Sequence, residues 1–320
     1  MLDGVLFFPV TPFGPDGVVD YDALAEHIRR GLAAGPGGVF VACGTGEFHA
    51  LEAGEYGRIV ATAVQAAGGT VPVFAGAGGS VAHARGFARE AAGAGADGLL
   101  VMPPYLVQMP QRGLLEYVTA VTGETGLDAI VYHRGNAQFT EQSATAVAQL
   151  PAVTGIKDGV GDLALMSRIV LSARAALAGS GRPFQFFNGL PTAEASQLAY
   201  RAIGVPLYSS AAFAFVPDVA RAFHAALERG DDAAAETLLH EFFNPLVRLR
   251  DTVPGYAVSL VKAGVTLEGV PAGSVRPPLL DATPEHVERL AGIIATGRAA
   301  LAGLAAQAPG PQAPEPQAAG

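Results

Sequence analysis

The chain has 320 residues, 50% of them hydrophobic and only 15% charged, enough to bury one large core or a core with an appendage. A formal net charge of −9 with no Lys/Arg-rich run argues against nucleic acid or an anionic membrane as a partner. The single cysteine, Cys43, rules out an internal disulfide and suits a reducing cytoplasm, and the opening MLDGVLFFPVTPF reads as neither signal peptide nor membrane span.

Taken in order, apolar runs of strand length alternate with helical patterns. Residues 5–12 read as a first strand, and 20–35 as a helix opened by Asp20 as N-cap and closed by Gly35. Further strands at 38–43, 71–77, 98–102, 129–133, 153–157, 184–187 and 205–209 are each followed by a helix, at 51–67, 81–94, 111–122, 141–150, 163–177, 193–203 and 218–228. Parallel strands need crossover connections, and helices supply them. Eight units over about 230 residues is the size of a closed (β/α)8 TIM barrel, with an open doubly wound sheet as the alternative. Beyond residue 231 the strand signal stops, and 233–250, 256–267 and 284–304 read as helices. The expected organisation is a barrel over 1–230, a C-terminal three-helix appendage over 231–304, and a Pro/Ala/Gln/Gly-rich disordered tail over 305–320.

Chemistry in such a barrel belongs where strands run into the following loops. Those ends present Thr11, Gly44-Thr45-Gly46-Glu47, Tyr105, Tyr132 with Arg134, Lys157, Asn188, and Ser209-Ser210. Of the 20 basic residues only Lys157 and Lys262 are lysines, so the other 18 are arginines. A lysine kept in such a chain suggests a task arginine cannot do, such as losing its proton and attacking a carbonyl to form an imine. Lys262, inside a helix of the appendage, is the control that keeps scarcity from being proof. Alternation puts Tyr132 on the same interior as Lys157, as an acid–base candidate whose bland role is packing. Arg134 is either a carboxylate clamp or a surface charge. Gly44-Thr45-Gly46 is either a tight turn or a carboxylate cradle of backbone N–H groups and the Thr45 hydroxyl. Glu47 and Asp162 precede helical segments and read as helix caps. No His/Asp/Glu set at metal spacing appears at the strand ends, so no metal is expected; imine chemistry on a lysine would need no external cofactor. The ends NGLP and YSSA lack a Gly-rich phosphate pattern.

PVTPF, GTGE, the PPY turn, strand-end Tyr132 and GIKDGVGD, arriving in that order, resemble the dihydrodipicolinate synthase / N-acetylneuraminate lyase superfamily across nearly the whole chain. The resemblance implies that Lys157 forms a Schiff base with a 2-oxo acid, that Tyr132 shuttles a proton and that the GTGE-type turn binds the substrate carboxylate. FFPVTPF, GTGEF, Tyr132-His133-Arg134-Gly135-Asn136, KDGVGD, GLPTAE and YSSA are most similar to a branch that dehydrates and decarboxylates an oxo-sugar acid. Synthases usually carry a second threonine at Gly44 and a second tyrosine at Leu106, so Tyr132 loses its usual relay partners here. Asn188, Ser209, Ser210 and Arg134 would then hold the distal hydroxyls and carboxylate of a small oxo-sugar acid. A homo-oligomer, tetramer or dimer, goes with the resemblance. The alternatives are a pyruvate-dependent aldolase or lyase of the same superfamily, and a ligand-binding homologue without turnover.

Overall fold

Apolar runs between turn residues become eight short strands: β1 Leu6–Phe7, β2 Gly38–Val41, β3 Val73–Ala77, β4 Gly98–Val101, β5 Asp128–His133, β6 Val153–Asp158, β7 Gln185–Asn188 and β8 Leu207–Ser210. Each pairs parallel with the next, and β1 also pairs with β8, so the sheet closes into a barrel and the open-sheet alternative is excluded. The computed structural model describes residues 1–307. β1 is shorter than residues 5–12 because Pro9 and Pro12 have no N–H to give to a ladder.

The outer ring is α1 Tyr21–Ala33, α2 Ala53–Ala67, α3 Val81–Gly93, α4 Gln111–Thr122, α5 Glu141–Ala148, α6 Leu163–Leu177, α7 Gln197–Ala202 and α8 Pro217–Arg229. Local chemistry sets their starts. Asp20 accepts from Ala23 N at 2.9 Å and Asp162 from Leu165 N at 2.9 Å, so both act as the N-caps expected of them. The stretch 193–203 is less regular than a single helix, entering through a 3-10 turn, Ala193–Ser196, before α7.

Period-two alternation sorts the strand residues into two layers. Phe7, Val39, Ala75, Leu99, Val131 and Ile156 face the helices. Leu6, Phe8, Phe40, Phe74, Leu100, Ile130, Tyr132 and Phe187 fill the interior. Phe40 stacks between Phe8 and Phe74 at 4.6 and 5.0 Å. At the lower end Gln185 exchanges hydrogen bonds with the backbone of Leu2, at 3.0 and 2.7 Å. This filled floor leaves the upper end for a ligand.

Beyond α8, α9 Asp232–Leu238 runs through a π-helical turn, Leu239–Phe243, into α10 Asn244–Arg250. The π turn falls where Pro245 removes a backbone donor, a known cause of such insertions. α11 Tyr256–Leu267 and α12 Pro284–Gln307 complete the three expected helical segments. α12 makes residues 305–307 helical, which corrects the expected start of the tail; residues 308–320 of that tail lie outside the described residues. By length and composition α12 could cross a membrane. Here its Leu290 and Ile294 are buried in a core that the appendage shares with barrel residues Val10, Tyr208, Phe215 and Phe223. Arg298 of α12 also grips Glu268 through two hydrogen bonds, at 2.9 and 2.8 Å, and Asp218 at 2.9 Å.

Candidate active site

Lys157 and Tyr132 are register partners on neighbouring strands β6 and β5, so both side chains rise from adjacent positions into the barrel interior. They are 6% and 5% exposed. The lysine Nζ sits 4.2 Å from the centre of the Tyr132 ring and 4.5 Å from that of Phe8. Among the described residues no carboxylate lies within ion-pair distance of it. Aromatic faces stabilise a cation without binding its proton. A protonated imine on the same nitrogen would keep that stabilisation.

Two glycines make room for this pair. A Cβ on Gly159 would lie 2.7 Å from Cε2 and 3.0 Å from Oη of Tyr132. A Cβ on Gly189 would lie 2.7 Å from both Cγ and Cε of Lys157 and 2.8 Å from the Asp158 carbonyl oxygen. The Asp158 oxygen is backbone and is bonded to Gly189 N, so it cannot retreat. Gly189→Ala is therefore expected to push the lysine aside, lowering kcat by about 100-fold. The overpacking should cost about 1–3 kcal/mol of stability. Steady-state kinetics beside a denaturant melt checks this, and a fully active variant would refute the packing argument.

The Tyr132 hydroxyl donates to the Gly189 carbonyl at 2.6 Å and accepts from Arg134 Nη1 at 2.9 Å. The hydroxyl that loses the synthase relay is thus held by a backbone carbonyl and a guanidinium instead. Arg134 also borders the cavity.

Opposite, the loop after β2 turns through Gly44-Thr45-Gly46. Glu47 N bonds to Gly44 O and Phe48 N to Cys43 O, which closes the turn. Among the described residues, the N–H groups of Gly44, Thr45 and Gly46 and the Thr45 hydroxyl have no protein acceptor. Gly44 and Thr45 border the cavity, whereas Gly46 is packed beneath the turn, its carbonyl accepting from Thr11 Oγ1 at 2.7 Å. Ala42 (φ 49°) and Glu47 (φ 56°) flank the turn in the left-handed region, which strains side chains other than glycine.

Glu47 is not the cap expected of it. Its side chain caps nothing; it is wholly buried and lies 2.7 Å from Lys262 Nζ, also accepting from Arg276 N at 2.8 Å. Lys262 donates further to Ser274 O at 2.8 Å and sits 3.9 Å over Phe13. Burial pushes the Lys262 pKa down, against the opposing pull of the Glu47 carboxylate.

Of the residues expected to hold the distal end of a ligand, Ser209 borders the cavity, while Asn188 and Ser210 stand behind its wall. Both are fully buried. Asn188 spends its amide on Ala193 O, Ser196 Oγ and Gln197 Oε1 at 2.9–3.1 Å, and its oxygen accepts from Leu190 N. Ser210 donates to Glu194 and accepts from Phe213 N at 3.0 Å. Their neighbours Phe187 and Ser209 point inward, so alternation turns these two outward. Burial raises the Glu194 carboxyl pKa to about 7, with the Ser210 hydrogen bond opposing. Asp158, which the sequence reading passed over, also faces outward. It accepts from Val160 N at 2.9 Å, Gly161 N at 3.3 Å and the Tyr200 hydroxyl, fixing the turn after the lysine.

The cavity encloses about 550 Å³. Its upper wall comes from the appendage, through Leu246 and Arg250 of α10 and Tyr256 and Val261 of α11. The sequence reading missed this contribution, since nothing local marks a helix end as cavity wall. The lining holds two guanidiniums, Arg134 and Arg250, beside the amine of Lys157, and neither Asp nor Glu among the described residues. In a chain of net charge −9 that local excess of positive charge favours an anionic ligand.

A sequence model described as the Dihydrodipicolinate synthetase family matches residues 1–296. A Streptomyces griseus protein named "Probable 5-dehydro-4-deoxyglucarate dehydratase" is 55% identical over 303 residues, 95% of this chain and 94% of its own. A Paracidovorax citrulli protein of the same name is 42% identical over 295 residues, 92% of this chain and 95% of its own. Among solved structures, dihydrodipicolinate synthase from Bacillus clausii superposes with a TM-score of 0.84 at 22% identity, over 93% of this chain and 98% of that one. YagE from Escherichia coli, solved in complex with pyruvate, gives 0.82 at 24%, over 92% and 98%. At that identity those structures support the fold alone, over barrel and appendage together, and the sequence matches span the same residues. The chain belongs to the dihydrodipicolinate synthetase family.

Proposed function

We propose that this protein is a lyase that dehydrates and decarboxylates 5-dehydro-4-deoxyglucarate to 2,5-dioxopentanoate, CO2 and water. The observation that carries the reading is that the register pair Lys157–Tyr132, Gly44 and Thr45 with their free N–H groups, and the guanidiniums of Arg134 and Arg250 border one cavity. The names of relatives at up to 55% identity point the same way.

Neutral Lys157 attacks the C5 ketone, and water leaves as the imine forms. The C6 carboxylate beside it lies on Gly44-Thr45. Loss of a C4 proton gives an enamine, whose electrons expel the C3 hydroxyl, leaving an imine conjugated with a C3–C4 double bond. When C1 departs as CO2, the electrons of the C1–C2 bond flow through this system to nitrogen. Protonation and tautomerisation turn C2 into the aldehyde, and water releases the product from Lys157. One water is consumed in hydrolysis and one released in imine formation, so the net loss is one water and one CO2. Tyr132 passes protons at the imine-forming and elimination steps, and its bonds to Gly189 O and Arg134 support that reading.

Purified protein supplied with 5-dehydro-4-deoxyglucarate should release CO2 and an aldehyde in equal amounts. Pyruvate with no CO2 would replace this reading with an aldol cleavage on the same lysine. Unchanged substrate would remove it.

A further inference from the structure

A C6 diacid has a second carboxylate, and the residues read from the sequence as its holders leave it poorly served. Asn188 and Ser210 are turned away, Ser209 offers only a neutral hydroxyl that leans on Asn188 O at 3.4 Å, and Arg134 lies at the lysine end, with Nη1 on the Tyr132 hydroxyl. The remaining cation is Arg250, at the end of α10. Its Nη1 donates to Pro191 O at 2.7 Å and Thr192 Oγ1 at 3.0 Å, and its Nε to Asp251 at 2.8 Å. Among the described residues Nη2 has no acceptor. The side chain is only 17% exposed while the Asp251 carboxyl is 60% exposed. Asp251 therefore offsets little of the guanidinium charge. A mostly buried guanidinium with donors left over is costly until an anion takes them.

Position agrees. The loop from Gly189, which packs on the lysine stem, to Thr192, which Arg250 grips, spans three residues, at most about 11 Å between Cα atoms. In the substrate the imine carbon and the far carboxylate are separated by four C–C bonds of about 1.5 Å each. Extended substrate bound to Lys157 is thus of a length to carry its far end along this loop toward Arg250. Thr192 is held at φ 51°, a strained left-handed conformation for a β-branched residue, and the Arg250 bond helps hold it there.

We infer that Arg250 binds the carboxylate farthest from the imine and so sets the preference for diacids. The inference rests on the imine reading above, so the test separates the two. The probes are 2-oxoadipate, which keeps both carboxylates of the substrate but has no hydroxyl to eliminate, and 2-oxohexanoate, which lacks the far carboxylate. Their affinities are measured by calorimetry, and borohydride trapping on Lys157 is followed in parallel by mass. The parent should favour 2-oxoadipate. Arg250→Gln should weaken 2-oxoadipate by about 10- to 100-fold, the size of one lost charged hydrogen bond, and leave 2-oxohexanoate within about twofold. Arg250→Lys, which keeps the charge, should retain part of the preference. Equal weakening of both probes would show that Arg250 only positions residues 189–192 and would overturn the inference, as would an unchanged diacid preference in Arg250→Gln. Absence of any borohydride adduct in the parent would instead sink the imine reading, whatever the calorimetry shows.

Discussion

Replacing Lys157 with methionine or arginine is expected to lower kcat by about 10⁴-fold or more, with the barrel still folded. Methionine keeps most of the stem length and apolar contact with Phe8 and Tyr132 but has no amine. Arginine keeps a cation over those rings but cannot form the imine. What each variant loses in stability is bounded by the cation–π contacts, about 0.5–2 kcal/mol each. The chemical loss is far larger, so activity and folding should separate cleanly. Borohydride added to the parent with substrate should leave a substrate-derived mass on the peptide carrying Lys157, and on neither variant. Full turnover by the parent with that peptide unmodified, or an active Lys157→Arg protein, would defeat the mechanism.

Lys262→Met should destabilise the protein by about 3–5 kcal/mol, because it strands the Glu47 carboxylate in the interior. Lys262 and Glu47 are 2% and 0% exposed, and their 2.7 Å contact is supported by Ser274 O on one side and Arg276 N on the other. Glu47→Gln should cost a similar amount by stranding the ammonium. The double variant should recover much of the loss, since a neutral pair no longer carries the desolvation penalty. Denaturant unfolding of the four proteins gives this cycle. A Lys262→Met protein as stable as the parent would mean that the pair contributes nothing. Because Glu47 ends the strained turn that presents Gly44 and Thr45, the single variants should also raise KM.

These two lysines show what could be read in the chain and what could not. Their rarity among 18 arginines marked both, and both are buried where a compact ammonium fits. What separated them was position, one at a strand end beside a tyrosine and the other inside a helix. Alternation along the strands placed Tyr132 and Lys157 together because their register is fixed by the hydrophobic interior. The same rule applied to Phe187–Asn188 and Ser209–Ser210 would have turned Asn188 and Ser210 outward. That information was in the sequence, and the chemistry of the residue types overshadowed it. Glu47 is different. Its partners Lys262 and Arg276 lie more than 200 residues away along the chain, so only the folded packing of α11 on the barrel shows that its carboxylate is paired rather than capping. Arg250 likewise gains its meaning only when α10 comes to rest over the loop after β7.

The cavity wall supplied by α10 and α11 divides the labour within one chain. Tyr132 and Lys157 stand on β5 and β6, whereas the upper wall of the cavity comes from helices encoded about a hundred residues later. Substitutions accumulating in the helical segment can change which acid is retained while the Lys157–Tyr132 pair is inherited intact. A lineage carrying this scaffold can thus shift its diet by editing the roof, and leave the furnace alone.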